Sequence, residues 1–360
     1  MEIKIKTLTP IWTGGFEPGK MDRIHETGII GSLRWWYEAI VRGLGGRVCH
    51  PTSDKPNERC QFDAEGYNKA LKDGKDISQA IEIGLKNVCV VCRLFGCTGW
   101  KRRFSLIWSP LNVQEMPFWL ATIDEPNKIA VTGDMKFKFR FTRGYEYYQK
   151  VLQALLTVMS NFGAIGAKSQ YGFGVFSYPG ACKSEEAIKM LQEQIESIPE
   201  SEPSNVEFYT LRNFWCLQCH IPEDDPQINN FQQARVIGDS QTFHKFKSRL
   251  LPVSFDIRYK LTGQQDKGLR QTYRVTKGKQ ATRKIFGTVI NEDQKWGSRI
   301  FVSHLYKNSD SDTNYQLRVW GFTESGVCET VEDALRAIFK KCELRRKNGQ
   351  DILTMTEVVE

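Results

Sequence analysis

Apolar and charged side chains alternate over the first eight residues, with Ile3 and Ile5 on one face and Lys4 and Lys6 on the other. A period of two is that of a half-buried strand, so residues 2–8 are predicted to form one. Gly14 and Gly15 break the pattern. The run Leu33-Arg34-Trp35-Trp36-Tyr37-Glu38-Ala39-Ile40 then predicts a helix capped by Ser32 and ended at Gly43, Gly45 and Gly46. Residues 47–62 read as a loop, and 63–87 as helix punctuated by Gly66, Gly74 and Gly84.

A short apolar strand at 104–108 is predicted to close at Pro110. Met135, Phe137, Phe139 and Phe141 alternate with Lys136, Lys138 and Arg140, a second strong strand signal. Val151, Leu155, Val158 and Met159 recur at helical spacing within 146–162, and a glycine-rich loop follows at 163–174. A further helix is expected at 184–197, then a linker rich in Pro, Ser and Glu from Ser197 to Asn205. The second half opens with a strand near 206–219 and closes with a helix from Val331 to Leu344. Two domains are expected, at 1–196 and 206–360.

Those two domains share a pattern. Leu94-Phe95-Gly96, then Trp100 and Lys101 to Leu106, is echoed by Ile285-Phe286-Gly287, then Trp296 and Gly297 to Val302. Upstream, Leu33-Arg34-Trp35 pairs with Ile257-Arg258-Tyr259. Both copies read as a Phe-Gly turn, a loop, a Trp, a basic residue and a strand, which suggests duplication.

The chain has 360 residues and a formal net charge of +8, a balance that favours polyanionic partners. No apolar run approaches the roughly 20 residues that span a bilayer, so no membrane partner and a cytoplasmic location are expected. The charge is concentrated. Lys267, Arg270, Arg274, Lys277, Lys279, Arg283 and Lys284 lie in one acid-free stretch with Tyr273 among them. Repeated positive charge suits a phosphate backbone and an aromatic ring suits an exposed base. The plainer alternative is a solvated basic loop, made mobile by Gly268 and Gly278.

The loop holding Gly163, Gly166, Gly172 and Gly174 around Lys168 has two readings: an anion-binding nest of amides, or a tight connection without a ligand. It follows a helix and precedes a strand, the reverse of a P-loop, which argues against nucleotide hydrolysis. Lys101, Arg102 and Arg103 form a third basic group.

Ten cysteines are many for a reducing compartment. Cys89 and Cys92 have zinc-knuckle spacing, and Cys49, Cys60, Cys97 or His50 are available to complete a site; buried thiols are the alternative. Cys216 and Cys219 share that spacing, but on a strand it sends them to opposite faces. No catalytic motif is present. His25, near Arg23, is a candidate base for RNA cleavage and Asp22 a further acidic candidate; a loop histidine with no role is the alternative.

The runs Thr9 to Gly15, Gly31 to Tyr37 and Cys89 to Gly96, followed by the loop from Gly166 to Gly174, occur in an order that resembles the RAMP superfamily of CRISPR proteins. Leu33-Arg34-Trp35-Trp36 and the run Thr98 to Phe104 resemble the branch that serves the type III-B Cmr effector complex. The resemblance implies an α+β chain of two ferredoxin-like (RRM-like) domains with antiparallel sheets and helical insertions. It implies a non-catalytic subunit whose partners are CRISPR guide RNA, single-stranded target RNA and other Cmr complex subunits. Lys101, Arg102, Arg103, Lys168 and the cluster of Arg270, Arg274, Lys277, Lys279, Arg283 and Lys284 would then hold RNA, and Arg34 would either contact RNA or support the glycine-rich loop. The only cofactor expected is the candidate structural zinc. Two other functions stay open: a metal-independent endoribonuclease that processes CRISPR RNA, and a zinc-stabilised assembly scaffold.

Overall fold

The computed structural model describes residues 1–17, 21–118, 128–197, 209–234, 249–259, 268–289 and 295–354. From residue 198 onward the predicted linker lies outside the described residues, as does Lys267.

The alternating N-terminus forms β1 (Glu2–Thr7), followed by helix α1 (Glu26–Gly43). Three short helices, α2 (Ala64–Lys72), α3 (Ile77–Gly84) and α4 (Val90–Phe95), lead into a long hairpin of β2 (Phe104–Phe118) and β3 (Lys128–Phe141). Helix α5 (Tyr148–Phe162), strand β4 (Phe176–Ser177) and helix α6 (Ser184–Glu196) complete the first half. Its sheet runs in the order β2-β3-β1-β4, antiparallel throughout. Ile3, Ile5, Phe137 and Phe139 enter one core with the apolar stripes of α1 and α5. Lys136 and Lys138 face outward and pair with Glu2, the ordinary polar face of such a sheet.

The second half comprises β5 (Phe214–Pro222), α7 (Pro226–Ala234), β6 (Leu250–Leu251), α8 (Ser254–Arg258), α9 (Leu269–Lys277) and α10 (Lys279–Phe286). A small pair, β7 (Thr288–Val289) and β8 (Lys295–Trp296), precedes β9 (Ile300–Val302), β10 (Leu305–Tyr306) and β11 (Asn314–Phe322). Helix α11 (Ser325–Ile338), strand β12 (Glu343–Asn348) and helix α12 (Gly349–Thr354) follow. The main sheet runs β12-β5-β11-β10-β6, and β9 also pairs with β11.

The two halves repeat one succession: strand, helix, two strands, helix, strand. The neighbour order β4-β1-β3-β2 in the first recurs as β12-β5-β11-β9 in the second. The second sheet is covered on both faces. Leu217, Cys219, Leu317 and Val319 face their own helices, while Phe214, Cys216, Trp320 and Phe322 join the first half's core. Cys216 and Cys219 therefore do point opposite ways.

Four expectations need correction. Pro110 does not end its strand: β2 continues to Phe118, because it is the edge of the sheet and a missing N–H there costs no ladder bond. The register shifts between Pro110 and Asn112 instead. Helix α1 begins at Glu26, well before Ser32, since Gly28 and Gly31 are tolerated inside a helix whose apolar stripe already starts at Ile29. The closing helix spans Ser325–Ile338, and the residues predicted to extend it turn into β12. The basic stretch from Arg270 to Lys284 is two helices with Gly278 between them, not a mobile loop.

Candidate nucleic-acid interface and cysteine cluster

The duplicated Phe-Gly turn is built the same way twice. Gly96 has φ 90° and Gly287 φ 75°, conformations that L side chains rarely adopt. A Cβ on Gly96 would lie 2.8 Å from the Arg102 amide nitrogen, and one on Gly287 would lie 2.9 Å from that of Ser298. The Arg103 amide donates to the Leu94 carbonyl at 3.0 Å, and the Arg299 amide donates to that of Ile285 at 2.8 Å. An arginine from an earlier helix, α1 or α8, braces each turn. Arg258 donates to the Ile300 and Phe286 carbonyls at 2.7 and 2.8 Å, and to Ser298 Oγ at 2.7 Å. Arg34 donates to the Gly96 carbonyl at 3.1 Å, to Glu38 Oε1 at 2.9 Å and to Cys92 Sγ at 3.2 Å. Burial alone would lower the Arg34 pKa, but Cys92 and Glu38 push it above its ordinary value. Arg34 is thus committed to the frame of the protein.

The first basic run leaves this turn toward β2. Lys101 is exposed. Arg103 lies over the Trp100 ring at 3.6 Å, and Arg102 over Phe104 at 5.3 Å while its Nε donates to the Phe104 carbonyl. A guanidinium held over an aromatic ring gains from the ring's negative face.

The second basic group forms a cleft. Helices α9 and α10 meet at Gly278, and Arg270, Arg274, Lys279 and Arg283 line a cavity of about 250 Å³ with Tyr259, Gln271, Thr282 and Thr288. No acidic residue lines it. Among the described residues, Arg274, Lys277, Lys279, Arg283 and Lys284 form no ion pair, and all but Arg283 are exposed. Tyr273, expected to stack on a base, is only 5% exposed and packs on Phe286 at 5.8 Å between ring centres. Its place one helical turn after Leu269 puts it on the buried side.

The glycine-rich loop joins the halves. The amides of Ile165, Ala167, Tyr171, Gly172 and Gly174 all donate to backbone carbonyls within the protein, so at these positions they make a clasp and not an open nest. Gly163 is pressed against Trp36, and its carbonyl accepts from Arg318 at 2.8 Å. Lys168 stacks over Trp12 at 4.0 Å. Beside the loop lies a cleft of about 460 Å³ bordered by Gly31, Ser32 and Trp35 of α1, Gly166 and Gln170 of the loop, and Tyr209 and Phe301 of the second half. Trp35, Tyr209 and Phe301 are half-buried there, with Trp35 at 5.0 Å from Tyr209. Tyr209 and Phe301 carry no motif that marks them as site residues in the sequence. The repeat held the available signal, since Phe301 occupies the strand after the second Phe-Gly turn.

Cys49, Cys60, Cys89 and Cys92 come together, all buried, with every Sγ within 4.8 Å of the others. Cys49 and Cys92 Sγ are 3.4 Å apart, and the Cys89 amide donates to Cys60 Sγ at 3.3 Å. Hydrogen bonds from Cys49, Cys60 and Cys92 hold the Cys89 thiol well below its usual range. His50 is drawn to Glu58 at 3.7 Å, and Cys97 lies outside the group of four. At the N-terminal end of α1, His25 Nε2 is 2.7 Å from Asp22 Oδ1, a contact that lowers the Asp22 pKa. Among the described residues no helix is long and apolar enough to cross a membrane.

Residues 4–177 match the sequence profile of the RAMP superfamily. Comparison with curated proteins returns no match. Among solved structures, the chain is similar to Cmr1 from Pyrococcus furiosus in its apo form, at 12% identity and TM-score 0.44, covering 97% of this chain and 98% of that one. It is also similar to a chain of the type III-B Cmr-beta complex bound to cognate target RNA, at 13% identity and TM-score 0.36, covering 94% and 98%. A chain of the same complex bound to cognate target RNA and AMPPnP in the presence of ssDNA matches at 11% identity and TM-score 0.35, covering 94% and 99%.

Proposed function

We propose, from the match of residues 4–177 to the RAMP superfamily, that the protein is a non-catalytic RNA-binding subunit of a type III-B CRISPR effector ribonucleoprotein. Its partners in this reading are guide RNA, single-stranded target RNA and the other subunits of the Cmr complex. The repeated succession of elements supports two ferredoxin-like domains, at 1–196 and 206–360. The motif runs from Thr9 to Gly174 support the narrower assignment within the superfamily.

The observation that carries the RNA assignment is the cleft between α9 and α10. Four cationic side chains converge there with no acid in the lining. Such a surface gains most from a ligand with regularly spaced negative charge, because each neutralised phosphate releases condensed counterions. Lys101, with Arg102 and Arg103 lying over aromatic rings, supplies a second row of charge on the first half. The cleft beside Trp35, Tyr209 and Phe301 offers ring faces to an unstacked base.

The test is a titration of labelled single-stranded RNA at several salt concentrations. Arg274→Glu, Lys279→Glu and Arg283→Glu combined are expected to weaken binding at least about tenfold at low salt. They are also expected to flatten the plot of log affinity against log salt by about 2, at roughly 0.7 per single-strand phosphate. Unchanged affinity in the folded variant overturns the assignment. The same samples address a second reading, which the His25–Asp22 contact favours: metal-independent RNA cleavage with His25 as base. RNA shortened by the wild type but left intact by His25→Ala would replace the binding role with a nuclease.

A further inference from the structure

We propose that Cys49, Cys60, Cys89 and Cys92 form a structural zinc site that ties the segment following α1 to the start of α4. This inference stands apart from the RNA-binding reading and survives its failure.

The geometry argues first. A zinc ion with four thiolates at about 2.3 Å holds its sulfurs about 3.8 Å apart, the edge of that tetrahedron. Here all four Sγ atoms lie within 4.8 Å of one another, and one pair is at 3.4 Å. Small side-chain rotations close the rest. An iron–sulfur cluster, with several atoms between its ligands, needs the thiolates further apart. A disulfide needs sulfurs at about 2.05 Å, and the four cysteines are free.

The surroundings argue second. Metal binding displaces the thiol protons, so a loaded site carries net negative charge in a buried place. A cation is already positioned: Arg34 donates to Cys92 Sγ at 3.2 Å and to the Gly96 carbonyl at 3.1 Å. The Cys89 amide donates to Cys60 Sγ, as amides around thiolate sites do. Four protein ligands leave no open position, so the site holds structure and performs no catalysis. Cys49 and Cys60 sit on a segment with little regular structure, and Cys89 and Cys92 open α4. The metal therefore cross-links this irregular segment to the start of α4.

Protein expressed in zinc-replete medium and purified without chelator is expected to carry about one zinc per chain, with X-ray absorption showing four sulfurs at about 2.3 Å. Cys89→Ser is expected to lower the zinc below about a tenth of that content, while Cys97→Ser keeps it. Should Cys89→Ser fail to fold, cobalt(II) exchanged into the wild type is expected to show thiolate charge-transfer absorption typical of a tetrahedral four-sulfur shell. Folded wild-type protein with neither zinc nor that cobalt absorption overturns the proposal. So does a ligand shell containing nitrogen or oxygen, or loss of the metal in Cys97→Ser.

Discussion

Arg34 and Arg258 occupy matching places in the two halves, yet their neighbours differ. Arg258 is 1% exposed and satisfies two carbonyls and a hydroxyl. Arg34 keeps partial access to water and satisfies one carbonyl, a carboxylate and a thiol. Removing a buried donor strands its acceptors, which costs more where water cannot replace it. Arg258→Met is therefore expected to lower stability by about 3 kcal/mol, and Arg34→Met by about half as much, in urea unfolding followed by circular dichroism. Equal losses would mean that the two turns are braced alike and that access to water at Arg34 does not soften its removal. At this scale the sequence was legible where a spacing carried the chemistry. The Cys89–Cys92 pair and its partners Cys49 and Cys60 are together, and the pairing of Arg34 with Arg258 holds. It was illegible where a residue's role depends on which side of an unrecognised helix it takes. Tyr273 looked like a free ring in a basic loop, and only the amphipathic turn with Leu269 sends it inward. The glycine loop's amides were open in the sequence because the carbonyls of Pro10 and Trp12 that accept from Gly174 and Ala167 lie far away along the chain.

Among the elements, α1 shows what a local rule can miss. Gly31 lies inside this helix, and a Cβ added there would meet nothing within 4 Å. Glycine costs about 1 kcal/mol relative to alanine at such a place. Gly31→Ala is accordingly expected to raise stability by about 0.5–1 kcal/mol, read as a higher midpoint in thermal unfolding. Gly31 also borders the cleft beside Trp35. A variant that gains stability and loses RNA affinity would show that the missing side chain keeps room for a ligand, whereas unchanged affinity would leave that cleft without a role. The strongest periodic signal, at 135–141, gave a strand with its predicted faces, because alternation reports burial directly. Segment ends were harder to read. Pro110 stops a central strand but not an edge one, and the edge position of β2 is a property of the sheet that no window of sequence contains.

Over the whole molecule, the second sheet carries cores on both faces, and the two halves meet through one of them. Cys216 lies on that face and is fully shielded, which pushes its thiol up to about 12. In the unfolded chain the same thiol ionises near its ordinary 9. Between those values the unfolded state has lost a proton that the folded state keeps, so stability falls as pH rises, by about 1.4 kcal/mol per pH unit from this group. Below the lower value the contribution is constant. Comparing Cys216→Ala with the wild type in denaturant titrations from pH 8.5 to about 11 is expected to show a shallower alkaline decline in the variant. Parallel curves would mean that water reaches this face. The prolines of β2 have a consequence at the same scale. Pro110 and Pro117 withhold two N–H donors along the first sheet's edge, and the register shift after Pro110 bends it. An approaching strand from another copy finds an incomplete ladder there, so chains crowded on a ribosome or in a concentrated solution are discouraged from polymerising edge to edge. Neighbouring molecules must then recognise this side of the protein by its side chains, which encode identity, and not by its backbone, which does not.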